Sequence, residues 1–145
     1  MMPTLQRAST KRRNRATLGT HTPEILCVDD DPAIHTALQL RLRDYDVNVS
    51  QAFYGMQGVS EAVRSQPDVI VMDLAMPNGD GLYVIECLRN NPATCSIPIV
   101  VLSGMRDPSR KRQAFDNGAE AFLMKPVAFA DLVEELSHYV ELTKG

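Results

Sequence analysis

The run Asp68-Val-Ile-Val-Met72 is apolar at every position after the first. Successive side chains of a strand point to opposite faces, so a strand with no polar alternation must be covered on both sides. That is the signature of an interior strand in a parallel sheet with helices on both faces. Ile25-Leu-Cys-Val28 and Ile97-Pro-Ile-Val-Val-Leu102 are written the same way, and a shorter apolar run spans Ala121–Met124. Each of these runs stops at a chemically active group: Asp29, Asp30 and Asp31 after the first, Asp73 after Met72, Ser103 after Leu102, and Lys125-Pro126 after Met124.

Helical patterns fill the spaces between them. Pro32 marks a helix start, after which Ile34, Leu38 and Leu42, with Ala37, recur at helical spacing. Val47–Phe53 reads as a strand, and Met56, Val59, Ala62 and Val63 as the stripe of a second helix. Leu82, Ile85 and Leu88 mark a third helix. A fourth runs from about Pro108 to Asn117, stopped by Gly118, and Leu132, Val133, Leu136, Tyr139 and Val140 stripe the last. Five βα units with right-handed crossovers predict an α/β, flavodoxin-like (βα)5 doubly wound parallel sheet of strand order 2-1-3-4-5. The switch point of that order lies between the carboxyl ends of strands 1 and 3. Those ends carry Asp29 and Asp30 on one side and Asp73 on the other.

Composition narrows the class further. The 145 residues suit one domain, and a hydrophobic fraction of 44% with 23% charged residues suits a folded, soluble chain. No apolar stretch approaches the roughly 20 residues of a membrane span. Five of the 15 basic residues, Arg7, Lys11, Arg12, Arg13 and Arg15, precede position 21, while no acid precedes Glu24. Residues 21–145 therefore hold ten basic against 18 acidic side chains, a net −8. Residues 1–22 are expected to be a disordered basic extension and residues 23–145 the folded domain. Cys27, Cys87 and Cys95 are odd in number and form no C-x-x-C pair, which reads as ordinary thiols in a reducing cytoplasm.

Three carboxylates in one crevice repel each other unless a cation intervenes. Oxygen donors without Cys or His in the motifs favour Mg²⁺, which keeps several waters and binds one or two carboxylates plus phosphate oxygens. A metal beside a carboxylate, a hydroxyl and a lysine suits phosphoryl transfer, and aspartate is a competent nucleophile for it.

Val28-Asp-Asp-Asp31, Asp73-x-x-Met-Pro-x-x-x-Gly81, Ser103-Gly104 and Lys125-Pro126, in that order and each at a strand end, resemble the receiver domain of two-component response regulators over roughly residues 24–142. The resemblance implies that Asp73 accepts a phosphoryl group from a phosphohistidine on a histidine kinase or histidine phosphotransfer protein. It implies a metal set of Asp29, Asp30, Asp73 and Ala75, with Asp30 ligating Mg²⁺ directly, Asp29 through water, and the Ala75 carbonyl completing the set. Ser103 and Lys125 would each engage a phosphoryl oxygen, with a cis peptide before Pro126. Phe122 matches the aromatic switch position: rotation of Ser103 toward the phosphoryl would let Phe122 turn inward and repack the face of helix 4, strand 5 and helix 5. Phe stands there where the family often has Tyr. Ala75 and Met105, two residues beyond Asp73 and Ser103, border the pocket mouth and should bear on phosphate lifetime.

Plainer readings apply elsewhere. Asp31 is expected to cap a helix rather than bind metal. His35 is expected on a solvated helix surface, and Arg110-Lys-Arg112 on a solvated face of helix 4. The tail Lys11–Arg15 lacks interleaved aromatics, and direct contact with nucleic acid or membrane is not expected. The sequence ends at Gly145, just past the last helix, so the expected output is a downstream effector protein met in trans, with phosphorylation-dependent homodimerisation left open. Two alternatives are weighed. One is a haloacid-dehalogenase-like phosphatase with Asp29-x-Asp31 as its nucleophile motif; the other is a receiver-fold binding module that no longer uses phosphate.

Overall fold

The computed structural model describes residues 21–76, 81–104 and 107–145, together with the backbone of Gln6–Arg7 and Gly79–Asp80. Its five parallel strands are β1 (Glu24–Val28), β2 (Asn48–Ala52), β3 (Val69–Met72), β4 (Ile99–Ser103) and β5 (Ala121–Met124). They lie in the order 2-1-3-4-5, with β1 pairing β2 and β3, β3 pairing β4, and β4 pairing β5. The helices are α1 (Pro32–Leu42), α2 (Gly55–Ser65), α3 (Gly81–Arg89), α4 (Pro108–Asn117) and α5 (Phe129–Leu136).

The continuous apolar runs divide by parity. Leu26, Val28, Ile70, Met72, Ile99 and Val101 point into a core closed by α2, α3 and α4. Their neighbours Ile25, Cys27, Val69, Val71, Val100 and Leu102 point into a second core closed by α1 and α5. Each residue of these runs is thus removed from water whichever way it faces, at roughly 25 cal/mol per Å² of apolar surface covered.

Several boundaries differ from expectation for local reasons. The fourth strand begins at Ile99 rather than Ile97, because Pro98 has no N–H for the ladder. It runs on through Ser103, whose neighbour across the sheet is Met124. Helix α2 buries Gly55, Gly58 and Ala62, while Met56 and Val63, expected on its core stripe, are exposed. The glycines let this helix lie close to the sheet: a Cβ on Gly58 would stand 2.8 Å from Val28 Cγ2. The last helix ends at Leu136; Tyr139 and Val140 are buried as expected, but from the turn that follows, where Tyr139 Oη donates to Glu135 Oε2 at 2.6 Å.

Gln6–Arg7 pair antiparallel with Phe122 and Ala121 along the outer edge of β5. His21 reaches Asp68 at 3.2 Å. These two contacts fall within the stretch 1–22 expected to be unstructured; the basic run Lys11–Arg15 lies outside the described residues.

Candidate phosphoryl-acceptor and metal site

The carboxyl ends of β1 and β3 bring Asp29, Asp30 and Asp73 together, with a carboxylate oxygen from each within 4.8 Å of the others. Asp29 and Asp73 are buried and Asp30 is exposed. Backbone bonds fix the two strand ends against each other: the Asp73 N–H donates to the Val28 carbonyl at 3.1 Å and the Asp29 N–H to the Ala52 carbonyl at 3.0 Å. Asp29 Oδ1 accepts the Asp31 N–H at 2.9 Å, and Asp73 Oδ1 accepts the Ala75 N–H at 3.1 Å. One oxygen of each buried carboxylate is therefore held by its own loop, and the other faces the pocket.

Lys125 answers those second oxygens. Its Nζ lies 3.1 Å from Asp29 Oδ2 and 3.3 Å from Asp73 Oδ2. Partial burial, the largest single influence, would lower the lysine's pKa, but the combined attraction of Asp29 and Asp73 outweighs it and leaves the pKa raised. Lys125 is delivered by β5 and a cis peptide to Pro126, and its own N–H donates to the Ser103 carbonyl at 2.9 Å. Ser103, at the end of β4, is completely buried. Ala75 is exposed at the rim, where Ala75–Met76 pairs with Gly79–Asp80 in a small ribbon. Gly81 closes the motif by necessity, since a Cβ there would meet Leu74 Cα at 2.5 Å. Met105 lies outside the described residues.

The donor set fits Mg²⁺ on its own chemistry: clustered carboxylates, one of them exposed, with a single lysine reaching two of three negative charges. Asp31 caps α1, accepting the Ala33 N–H at 3.0 Å, as expected. Phe122 is fully buried in the core beneath α4, with Lys111 Nζ 5.8 Å from its ring centroid. Within the basic run of α4, Arg112 is exposed, whereas Arg110 and Lys111 are half-buried, so only part of that run is a solvated face.

Two features escaped the sequence reading. His35 is buried rather than solvated, and its Nε2 lies 2.7 Å from the Asp29 carbonyl. The available signal was its spacing, three and seven residues before Leu38 and Leu42, which form the buried stripe of α1. Beside the acid cluster, Lys125 and Pro126 also border an apolar groove of about 470 Å³ between α1 and α5, lined by Ile34, Leu38, Arg41 and Phe129 among others.

The family model for the response regulator receiver domain matches residues 25–137. The chain belongs to the response-regulator receiver family. Among curated proteins it is 40% identical over 104 residues to the DNA-binding dual master transcriptional regulator RpaA of Synechocystis, which covers 72% of this chain and 43% of that protein. It is 36% identical over 112 residues to the KDP operon transcriptional regulatory protein KdpE of Escherichia coli, covering 77% of this chain and 48% of the relative. The chain thus spans less than half the length of these relatives. Among solved structures, the chemotaxis protein CheY4 of Vibrio cholerae superposes with a TM-score of 0.77 at 26% identity, over 83% of this chain and all of the other. The receiver domain of the sensor histidine kinase PA1611 of Pseudomonas aeruginosa, with magnesium coordinated in its active-site cleft, gives 0.74 at 28% identity, over 82% and 98% of the two chains.

These matches make the protein a receiver of two-component signalling and leave the haloacid-dehalogenase-like alternative without support. Its supposed motif carries Asp31, whose side chain is engaged in capping α1. The phosphate-independent module likewise finds no support in the comparisons.

Proposed function

We propose that Asp73 is the phosphoacceptor of this receiver. The observation that carries the reading is the Asp73 carboxylate itself: at the end of a fully buried strand, clustered with two further acids, and 3.3 Å from Lys125 Nζ. In the reaction, an Asp73 oxygen attacks the phosphorus of a phosphohistidine, the P–N bond breaks, and its electron pair stays on the departing imidazole. Asp30, exposed beside the pocket, would hold Mg²⁺ directly and Asp29 through water, with Asp73 and the Ala75 carbonyl completing the protein's share. Bound by these residues, Mg²⁺ would supply neutralisation of the charge on the transferring oxygens. Lys125 exchanges an Asp73 contact for a phosphoryl oxygen, and Ser103 donates to another.

Phosphorylation then biases Ser103 and Phe122. Phe122 already lies inward, packed under Lys111, so the phosphoryl group stabilises an arrangement that the fold accommodates without it. The affected surface is α4, β5 and α5. The donor is a histidine kinase or histidine phosphotransfer protein, and the output is a downstream effector or a second phosphorylated copy. The relatives named as transcriptional regulators are matched over less than half their length, so DNA binding is not carried over to this acidic stretch. A cytoplasmic setting follows from the kinase partnership, and among the described residues no helix is long and apolar enough to cross a membrane.

Intact-mass measurement after incubation with Mg²⁺ and acetyl phosphate or phosphoramidate tests the reading. One hydroxylamine-labile phosphoryl adduct is expected in the wild type and none in Asp73→Asn. An adduct that survives in Asp73→Asn would assign the acceptor elsewhere.

A further inference from the structure

His35 has no place in the chemistry just described, yet it is as deeply buried on α1 as Leu42. It is 1% exposed, and the Phe53 ring covers it with centroids 4.4 Å apart. A carbonyl can only accept, so the 2.7 Å contact to the Asp29 oxygen requires the proton on Nε2. Nδ1 is then left buried without a hydrogen-bond partner among the described residues. A leucine would fill this stripe beside Leu38 and Leu42 with no orphaned nitrogen. The histidine is disfavoured by packing alone, which points to a use for its donor.

The carbonyl it holds belongs to the peptide between Asp29 and Asp30. That peptide is planar, so fixing its oxygen fixes the direction in which the chain enters Asp30. The preceding peptide is already fixed, through the Asp29 N–H on the Ala52 carbonyl at 3.0 Å. Asp29 is thus anchored by its N–H, its carbonyl and both carboxylate oxygens, whereas Asp30 projects into solvent. We infer that His35 is a positioning residue for the metal site: its Nε2–H locks the Asp29–Asp30 peptide plane and holds the exposed Asp30 carboxylate toward the ion. The inference rests on the Mg²⁺ reading above. Partners standing behind metal ligands of this kind typically contribute about 10- to 100-fold to metal affinity.

The test is isothermal titration of Mg²⁺ into the whole chain, wild type against His35→Phe and His35→Gln. Phenylalanine keeps a ring in the slot and removes the donor. Glutamine places its side-chain NH₂ the same number of bonds from Cα as the imidazole Nε2 and keeps the donor. His35→Phe is expected to weaken Mg²⁺ binding about tenfold, with His35→Gln recovering most of the loss while both retain a cooperative unfolding transition. If phenylalanine is not accommodated, His35→Leu replaces it in the same comparison. Wild-type affinity in the donor-free variant, or an equal loss in both variants, overturns the positioning role while leaving the metal site standing. A wild type that takes up no Mg²⁺ overturns the site and the inference together.

Discussion

The two ends of the sheet handle buried charge in opposite ways. At the amino end, Asp68 and Arg89 are bonded to backbone and to neighbouring side chains. Asp68 accepts the Glu24 N–H at 2.9 Å and lies 3.2 Å from a His21 nitrogen. Arg89, at the end of α3, donates to the carbonyls of Gly118 at 2.7 Å, Ile97 at 2.8 Å and Cys95 at 3.2 Å, and lies 3.8 Å from Glu120. The chain's last residues close the same end, with the Asp46 N–H on Thr143 and the Gly145 N–H on Asp44. At the carboxyl end, three acids face one another and Lys125 reaches two of them. The lesson is a division of labour: the contacts at one end hold the fold, while the other is left with excess negative charge that attracts a cation.

The contrast breaks first, and with the largest effect, at Arg89. Arg89→Ala leaves the carbonyls that end α4 and precede β4 without their donor and Glu120 without its neighbour. The expected loss is about 3 kcal/mol, measured by denaturant unfolding, with the phosphoryl adduct on Asp73 still forming in the folded fraction. Lys125→Met is expected to cost less, about 1–2 kcal/mol in Mg²⁺-free buffer, because Lys125 is itself only partly buried and removing it breaks no more than two ion pairs among the described residues. Its pH dependence has a definite sign. The folded lysine's pKa is raised, so its stabilisation is fully present below the ordinary lysine value and disappears as pH rises through the raised one. The wild-type advantage should therefore stay flat from neutrality to about pH 9 and close only above about pH 10.4. Smallest is Asp30→Asn, expected within about 0.5 kcal/mol of wild type without metal, or slightly more stable. A large loss there would mean that the carboxyl end, too, is built for stability.

Much of this was legible in the sequence because strand parity and strand-end chemistry are local signals. The apolar runs after Ile25 and Asp68, the Asp31 cap and the Gly118 stop fall where spacing and composition put them, while the run from Ile97 enters the sheet only at Ile99. Asp29, Asp30 and Asp73 converge as the strand order requires. What escaped depends on contacts distant in sequence. Arg89 looks like a surface basic residue until Gly118, 29 positions away, is brought beneath it. The buried face of α2 does not follow its apolar side chains, because close approach to Val28 selects Gly58. A polar residue on a helix suggests solvent, whereas the partner of His35 is the carbonyl of a site residue.

The contrast predicts that the carboxyl end takes up a cation that the amino end does not need. Thermal unfolding of the wild type in chelator and in a Mg²⁺ series tests it most directly, alongside Asp30→Asn and Arg89→Ala. Mg²⁺ at about 100 times its dissociation constant should add about 2.7 kcal/mol, seen as a rise of several degrees in Tm for the wild type. Arg89→Ala should show the same increment from a lower baseline, and Asp30→Asn little or none. A wild-type Tm indifferent to Mg²⁺, or an equal rise in Asp30→Asn, would contradict it.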